Sequence, residues 1–336
     1  MRRLIVKIGA WLAILLGLAM MLQPTAAGWL AKQRSSKTAQ QFAARTAARA
    51  EQKANADDAA DSEEARPYPE LYAAMQSYNA EIYAEGQSGL KDAFAYETPP
   101  LNLTDYGYED EEIAVLWIPR LNLELPVYLG ASRENMAKGA ALLGQTSMPL
   151  GGENTNTVLA AHRGYYGAEM LRNVQQIQVG DKIQLTTPWD TLIYRVAELK
   201  IIDPAEISAV LIQPGRDLLT LSTCHPYTQN YQRYLVIAER DTTAAVTDKD
   251  TDLQESAATW DETPREVTVE EGGTTTVAEV APQSITPLPQ EGSSESEGSA
   301  VSNLMIWLEN NALWAGFVFI AACVGILAIW HKHREE

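Results

Sequence analysis

Cysteine is nearly absent. Two copies in 336 residues exclude a disulfide-built scaffold. Histidine is almost as scarce, with four copies, and neither a C-x-x-C pair nor an H-E-x-x-H stretch occurs. Zinc-ligand spacing is therefore missing, and neither a metal nor an organic cofactor is expected. Positive charge is in deficit as well. Lys plus Arg is 26 against 44 for Asp plus Glu, a formal charge of −18, which argues against a nucleic-acid partner, whose phosphates require a basic face. Charge of either sign is missing from residues 312–330, and Lys7 is the only charge in residues 4–22.

Those two apolar ends set the compartment. Nineteen helical residues span roughly 28 Å, close to the hydrocarbon thickness of a bilayer. Residues 312–330 are expected to cross a membrane. Trp314 and Trp330 sit near the two ends, and the tail His331-Lys332-His333-Arg334 is held in the cytoplasm by the positive-inside tendency. Residues 4–22 follow Met1-Arg2-Arg3 and are read as an uncleaved anchor. A cleaved signal peptide ending near Thr25-Ala26-Ala27 is the alternative. Either way, the intervening chain faces outside the cell.

Between the ends the composition changes several times. Residues 1–30 form the cytoplasmic start and anchor. Residues 31–66, rich in Ala, Gln and charge, read as a solvated helical or partly disordered stalk. Residues 67–112 form a helical extension: Tyr68, Leu71, Tyr72, Met75, Tyr78 and Ile82 recur at near-helical spacing, which suits a helix packed on a neighbouring domain. Residues 113–241 carry short β-branched apolar runs at 113–118, 123–128, 157–161, 182–186, 192–202, 217–223 and 234–239, punctuated by Gly, Pro and Asn. That pattern predicts an all-β barrel or sandwich, long enough for one well-buried core. From Asp241 to Ala300 there are 5 Asp and 9 Glu against Lys249 and Arg265, a net of −12 and two-thirds of the excess charge of the chain. Residues 242–302 therefore read as a disordered acidic tether. Residues 303–336 hold the C-terminal membrane helix and its basic tail.

Cys323 lies inside the apolar C-terminal segment, which leaves Cys224 as the one cysteine outside the membrane. An unpaired thiol in an exported chain either pairs between molecules or is reactive, and a buried structural cysteine is the plain alternative. Cys224 ends the apolar run Leu218-Leu219-Thr220-Leu221-Ser222-Thr223 just before His225-Pro226, a position where a rigid strand presents a side chain beside a loop. A reactive thiol needs a base or cation nearby. His331 and His333 are across the membrane, and His225 adjoins Cys224 on the same strand, where alternate side chains diverge. His162, closing Val158-Leu159-Ala160-Ala161, is left as the partner by elimination. Arg233 opens the next apolar run. A hairpin would bring it beside Cys224, where its forked donors suit an oxyanion, although an ordinary strand-start arginine reads the same way.

These pieces resemble the sortase family. Thr220-Leu221-Ser222-Thr223-Cys224 is similar to its T-L-x-T-C signature, and Ala161-His162-Arg163-Gly164 to its histidine segment. Arg233 falls where sortases carry their arginine, and Ile118-Pro119-Arg120-Leu121 resembles the opening of their barrel. The resemblance implies a sortase-like β-barrel with short helices, preceded by a helical lid extension and flanked by transmembrane helices. It implies catalytic roles for Cys224, His162 and Arg233.

The terminal anchor, the long N-terminal extension and Cys-x-Pro-Tyr from Cys224 to Tyr227 resemble class C, the pilin-polymerising sortases. That class implies a lid. Asp92-Ala93-Phe94 is the best match, with Ala93 standing where the class has proline, and Asp105-Tyr106 is a weaker one. The lid Asp92 would pair with Arg233, and Phe94 would cover Cys224. The implied reaction is cleavage of an L-P-x-T-G-like sorting signal between Thr and Gly. A thioacyl enzyme forms and is resolved by an amine, a pilin lysine above all. The implied partners are pilin or surface-protein precursors. A housekeeping sortase would use a lipid II or peptidoglycan amine instead. A non-catalytic surface module with a disulfide-forming Cys224 is the reading from outside the enzymes.

Overall fold

The computed structural model describes residues 29–46, 48, 66–92, 99–165, 168–258, 265–271 and 274–280. Nearly all of them belong to one unit, Arg34–Tyr165 with Glu169–Pro287; the other unit, Met1–Gln33 with Tyr166–Ala168 and Leu288–Glu336, lies almost entirely outside the described residues. Among the described residues no helix is long and apolar enough to cross a membrane. The expected spanning segments, 4–22 and 312–330, lie outside them.

The short apolar runs become strands: β1 (Glu112–Ile118), β2 (Leu123–Leu129), β3 (Ala140–Leu142), β4 (Thr155–Ala160), β5 (Lys182–Thr186), β6 (Thr191–Ile202), β7 (Asp217–His225) and β8 (Gln232–Arg240). Their pairings run β1-β2-β3-β4-β7-β8-β6-β5 and return to β1, closing an eight-stranded barrel. Most pairs are antiparallel; β2–β3 and β4–β7 are parallel. Side chains alternate across each strand. Leu159 and Ala161, Leu219 and Leu221, and Tyr234 and Val236 belong to the large core with Leu116, Ile183 and Tyr194. Their neighbours Val158 and Ala160, Leu218, and Leu235 and Ile237 form a second apolar cluster on the other face, with Leu90, Ile202 and Val210.

Helix α1 (residues 29–46) differs from the solvated stalk expected there. Ala39 and Phe42 are buried against Val115, and Arg45 pairs with Asp110 and Glu112. A helix with one small or aromatic face docks on the barrel even when its other faces are polar. Helix α2 (Pro69–Ala84) follows the predicted apolar spacing. Leu71 and Met75 reach the main core, Tyr78 Oη accepts from the Gln145 amide at 3.0 Å, and Asn79 Oδ1 accepts from the Met148 amide at 2.7 Å. The short helix α3 (Arg133–Lys138) is N-capped by Ser132, whose hydroxyl accepts from Asn135 N.

The acidic stretch 242–302 also departs from expectation. It contains helix α4 (Lys249–Ala258) and a hairpin of β9 (Arg265–Glu271) and β10 (Thr274–Val280), whose first strand joins β6 in parallel. The physical reason is that one of its carboxylates is internal. Asp252 is 1% exposed, pairs with Lys182 at 2.8 Å and accepts from Trp117 Nε1 at 3.1 Å and from the Gln184 and Thr247 side chains. Nearby, Arg120 makes a buried pair with Asp181 and also donates to the Ser256 carbonyl. Charge that argued for solvation thus docks the segment instead. Residues 259–264 and 281–302 lie outside the described residues.

Candidate active site

Cys224 and Arg233 are direct cross-strand partners in the β7–β8 hairpin. Opposed residues of an antiparallel pair present their side chains on the same face, about 5 Å apart at Cβ. Arg233 shares its face with Leu235 and Ile237, and Cys224 with Leu218. The hairpin therefore presents thiol and guanidinium together beside the second apolar cluster. His225, one residue on, takes the opposite face and lies 5.7 Å from the Tyr234 ring, centroid to centroid.

The parallel register of β4 and β7 brings in His162. Ala160 is paired with Ser222, and the Ala161 amide still bonds the Ser222 carbonyl at 3.1 Å. His162 and Cys224 each lie two residues beyond that pair, at the same end of adjacent strands. The imidazole stacks on Tyr165 at 4.6 Å with an interplanar angle of 9°. Burial depresses its pKa to about 4.

Asp92 closes over this face. Gln87, itself buried, anchors the segment that carries it. Its Nε2 donates to the Gln145 carbonyl at 2.7 Å, and its Oε1 accepts from the Ile212 amide at 2.6 Å. Leu90 packs into the second apolar cluster. Asp92 then accepts two bonds from Arg233, at 2.8 Å from Nε and 2.6 Å from Nη2, a fork-to-carboxylate pair. The remaining Arg233 donor is held by the Asn230 and Gln232 carbonyls. Phe94 lies outside the described residues. Beneath the clasp is a crevice of about 20 Å³, room for roughly one water, lined by Asp92, Leu143, Val158, Ile207, Ser222 and Leu235 among others.

With the clasp closed the thiol is hard to ionise. Burial pushes Cys224 up to about 11. Arg233 and Arg163 pull it down, while Asp92 adds to the rise. Burial also opposes charge on Arg233, but the hydrogen bonds it donates to Asp92 and the fields of Cys224, Asp92 and Asp203 outweigh it and raise its pKa. The closed site holds a neutral thiol and a neutral imidazole beside a guanidinium engaged by a carboxylate.

One residue of the site went unassigned in the sequence. Arg163 follows Leu159 and Ala161 at alternate positions, so it belongs to the barrel-facing set, where a charge is out of pattern. That misplaced charge was the available signal. Its Nη1 lies 3.3 Å from the Cys224 carbonyl and 2.7 Å from His225 Nδ1. His225 is depressed to about 4, first by burial and then by Arg163.

A closed β-barrel whose mouth carries an unpaired thiol, a guanidinium across one hairpin and a histidine from the parallel neighbour is the scaffold of a thiol-nucleophile enzyme. Residues 116–241 match the family model described as the sortase domain. Sortase C of Streptococcus pneumoniae, whose crystal structure is described as informing catalysis and pilin substrate specificity, is 30% identical. It superposes with a TM-score of 0.52, over 63% of this chain and 100% of that one. Sortase C1 of pilus island 1 of Group B Streptococcus gives 28% identity and a TM-score of 0.53 over the same shares. Sortase D of Bacillus subtilis is 28% identical over 131 residues, and this chain spans 63% of the length of that relative. The chain belongs to the sortase family.

Proposed function

We propose that this chain is a membrane-anchored cysteine transpeptidase of the pilin-polymerising class, with its barrel outside the cell. The observation that carries the reading is the direct register of Cys224 with Arg233, beside a parallel strand that leads into His162 two residues past its end. Cys224 gives up its proton to His162, and its sulfur attacks the Thr carbonyl carbon of an L-P-x-T-G-like signal. Arg233 donates to the oxyanion that forms, or to the substrate backbone. Collapse expels the glycine amine, which takes the proton from His162. A thioester to Cys224 remains. A pilin lysine amine then attacks the thioester and loses a proton to His162, and the thiol is restored as the new amide forms.

The bidentate hold of Asp92 on Arg233 favours the pilin class, because it supplies the lid contact that the resemblance implies. Phe94 is proposed to complete that lid. Anchoring through residues 4–22 and 312–330 is proposed from their hydropathy. The test is incubation of the full chain with sorting-signal peptides and lysine-bearing pilins, with covalent products read by mass. Cys224→Ala is expected to abolish the thioacyl species at a stability cost of about 1 kcal/mol. Retained transpeptidation in that variant refutes the reading. Joining to a peptidoglycan amine alone selects the housekeeping alternative. A disulfide dimer through Cys224, with no thioacyl species, selects the non-catalytic one.

A further inference from the structure

Arg163 carries a charge that the reaction above does not use. It is 4% exposed, and its Nε is buried with no hydrogen-bond partner among the described residues. Its Nη1 bonds the Cys224 carbonyl and His225 Nδ1. The groups that favour its charge are the phenols of Tyr234 and Tyr227 and the thiol of Cys224, and no carboxylate among the described residues pairs with it. Burial pulls the guanidinium down to about 10, as expected of a cation taken from water without a counter-ion. Arg233, the other guanidinium at the thiol, is already engaged by Asp92. The two arginines thus divide: one is neutralised by the clasp, and the other waits for a negative partner.

We propose that Arg163 is a positioning and charge-setting residue for Cys224. It fixes the end of β7 through the cysteine carbonyl, and it adds to Arg233 a second positive charge that favours the thiolate while the clasp is closed. This rests on Cys224 being the nucleophile. The titratable and charged groups packed around that end of β7 are Arg233 from β8, Asp92 from the segment after α2, and His162 and Arg163 after β4. His225, Tyr227 and Tyr234 lie there too, with Arg172 over the Tyr227 ring at 5.7 Å and Asp203 acting on Arg233. Arg163 makes no carboxylate pair among the described residues, whereas Arg233 is held by Asp92.

The experiment is alkylation of the full chain by iodoacetamide in detergent micelles, over a pH series from about 6 to 11, with Cys224 resolved from Cys323 by peptide mass. Arg163→Met and Arg163→Gln both remove the charge. Gln retains a donor for the Cys224 carbonyl, so it carries the test even if the Met variant does not fold. Each is expected to slow Cys224 alkylation up to about tenfold at every pH of the series, as an upward shift of the thiol pKa by about one unit does below its midpoint. Arg163→Lys keeps the charge and should stay near the wild-type rates. Unchanged rates across the series in a folded Arg163→Gln variant overturn the inference. The outcome is separable from the reading of function: Cys224→Ala decides whether the thiol is the nucleophile, and the pH-rate series decides whether Arg163 helps to set its charge.

Discussion

Removing the carboxylate of Asp92 should wake the thiol, by an amount that follows from the clasp. Two charge-assisted hydrogen bonds join Asp92 to Arg233, whose side chain is 9% exposed, whereas that of Asp92 is 24% exposed. Such bonds contribute about 1.5–3 kcal/mol each. Ordering the side chains and the segment offsets part of that, leaving about 2–3 kcal/mol for closure. That corresponds to a rise of about 30- to 150-fold in the open, reactive fraction when the clasp is lost. A second effect has the same sign. With its pKa near 11, Cys224 is thiolate in about one molecule in ten thousand at pH 7. Asp92 contributes to that elevation, so its loss leaves Arg233 free to stabilise the thiolate and lowers the midpoint. Asp92→Asn removes the charge and keeps the shape; Asp92→Ala removes both. The assay is the second-order rate of iodoacetamide addition to Cys224 at several pH values. Faster addition with a midpoint below that of wild type is expected for both variants, and more so for Ala. If both react within about twofold of wild type at an unchanged midpoint, the clasp neither gates the thiol nor tunes it.

Two further outcomes test other parts of the structure. Arg233→Lys keeps the charge but loses the forked donors, and single-turnover thioacylation should fall about 100- to 1000-fold; a near-wild-type Arg233→Ala variant would remove this residue from the mechanism. Asp252→Ala strands Lys182 as a buried cation and should cost about 3–5 kcal/mol in a urea melt. The double variant Asp252→Leu with Lys182→Met should recover most of it, and a silent Asp252→Ala would mean that α4 is not held by this pair.

The strands of the barrel were legible because each carries its own apolar, β-branched run. The runs at 182–186 and 192–202 reappear as β5 and β6 within a residue. β3 was missed: Ala140, Ala141 and Leu142 are too few and too small to show a period. The neighbourhood of Cys224 and Arg233 was legible because a hairpin is local, and one register joins them. Asp252 and Arg163 were not legible, since their meaning lies in partners distant along the chain. Charge density reads as solvation in a sequence; here Lys182, 70 residues from Asp252, turns it into packing. Arg163 looked like part of a motif, and only the cysteine carbonyl beside it gives its guanidinium a task.

β4 and β7 start level, Thr155 opposite Asp217, and run in the same direction. They therefore behave like two rulers laid from a common zero. The connections that follow His162 and that join β6 to β7 lie outside either ruler, so residues can be gained or lost there while the spacing of His162 and Cys224 is conserved. One residue inserted inside either strand has the opposite effect, because it rotates every later side chain to the other face and carries the imidazole or the thiol away from its partner. Change in substrate preference, natural or engineered, is thus channelled into the connections, and the two short strands tolerate substitution but not a change of length.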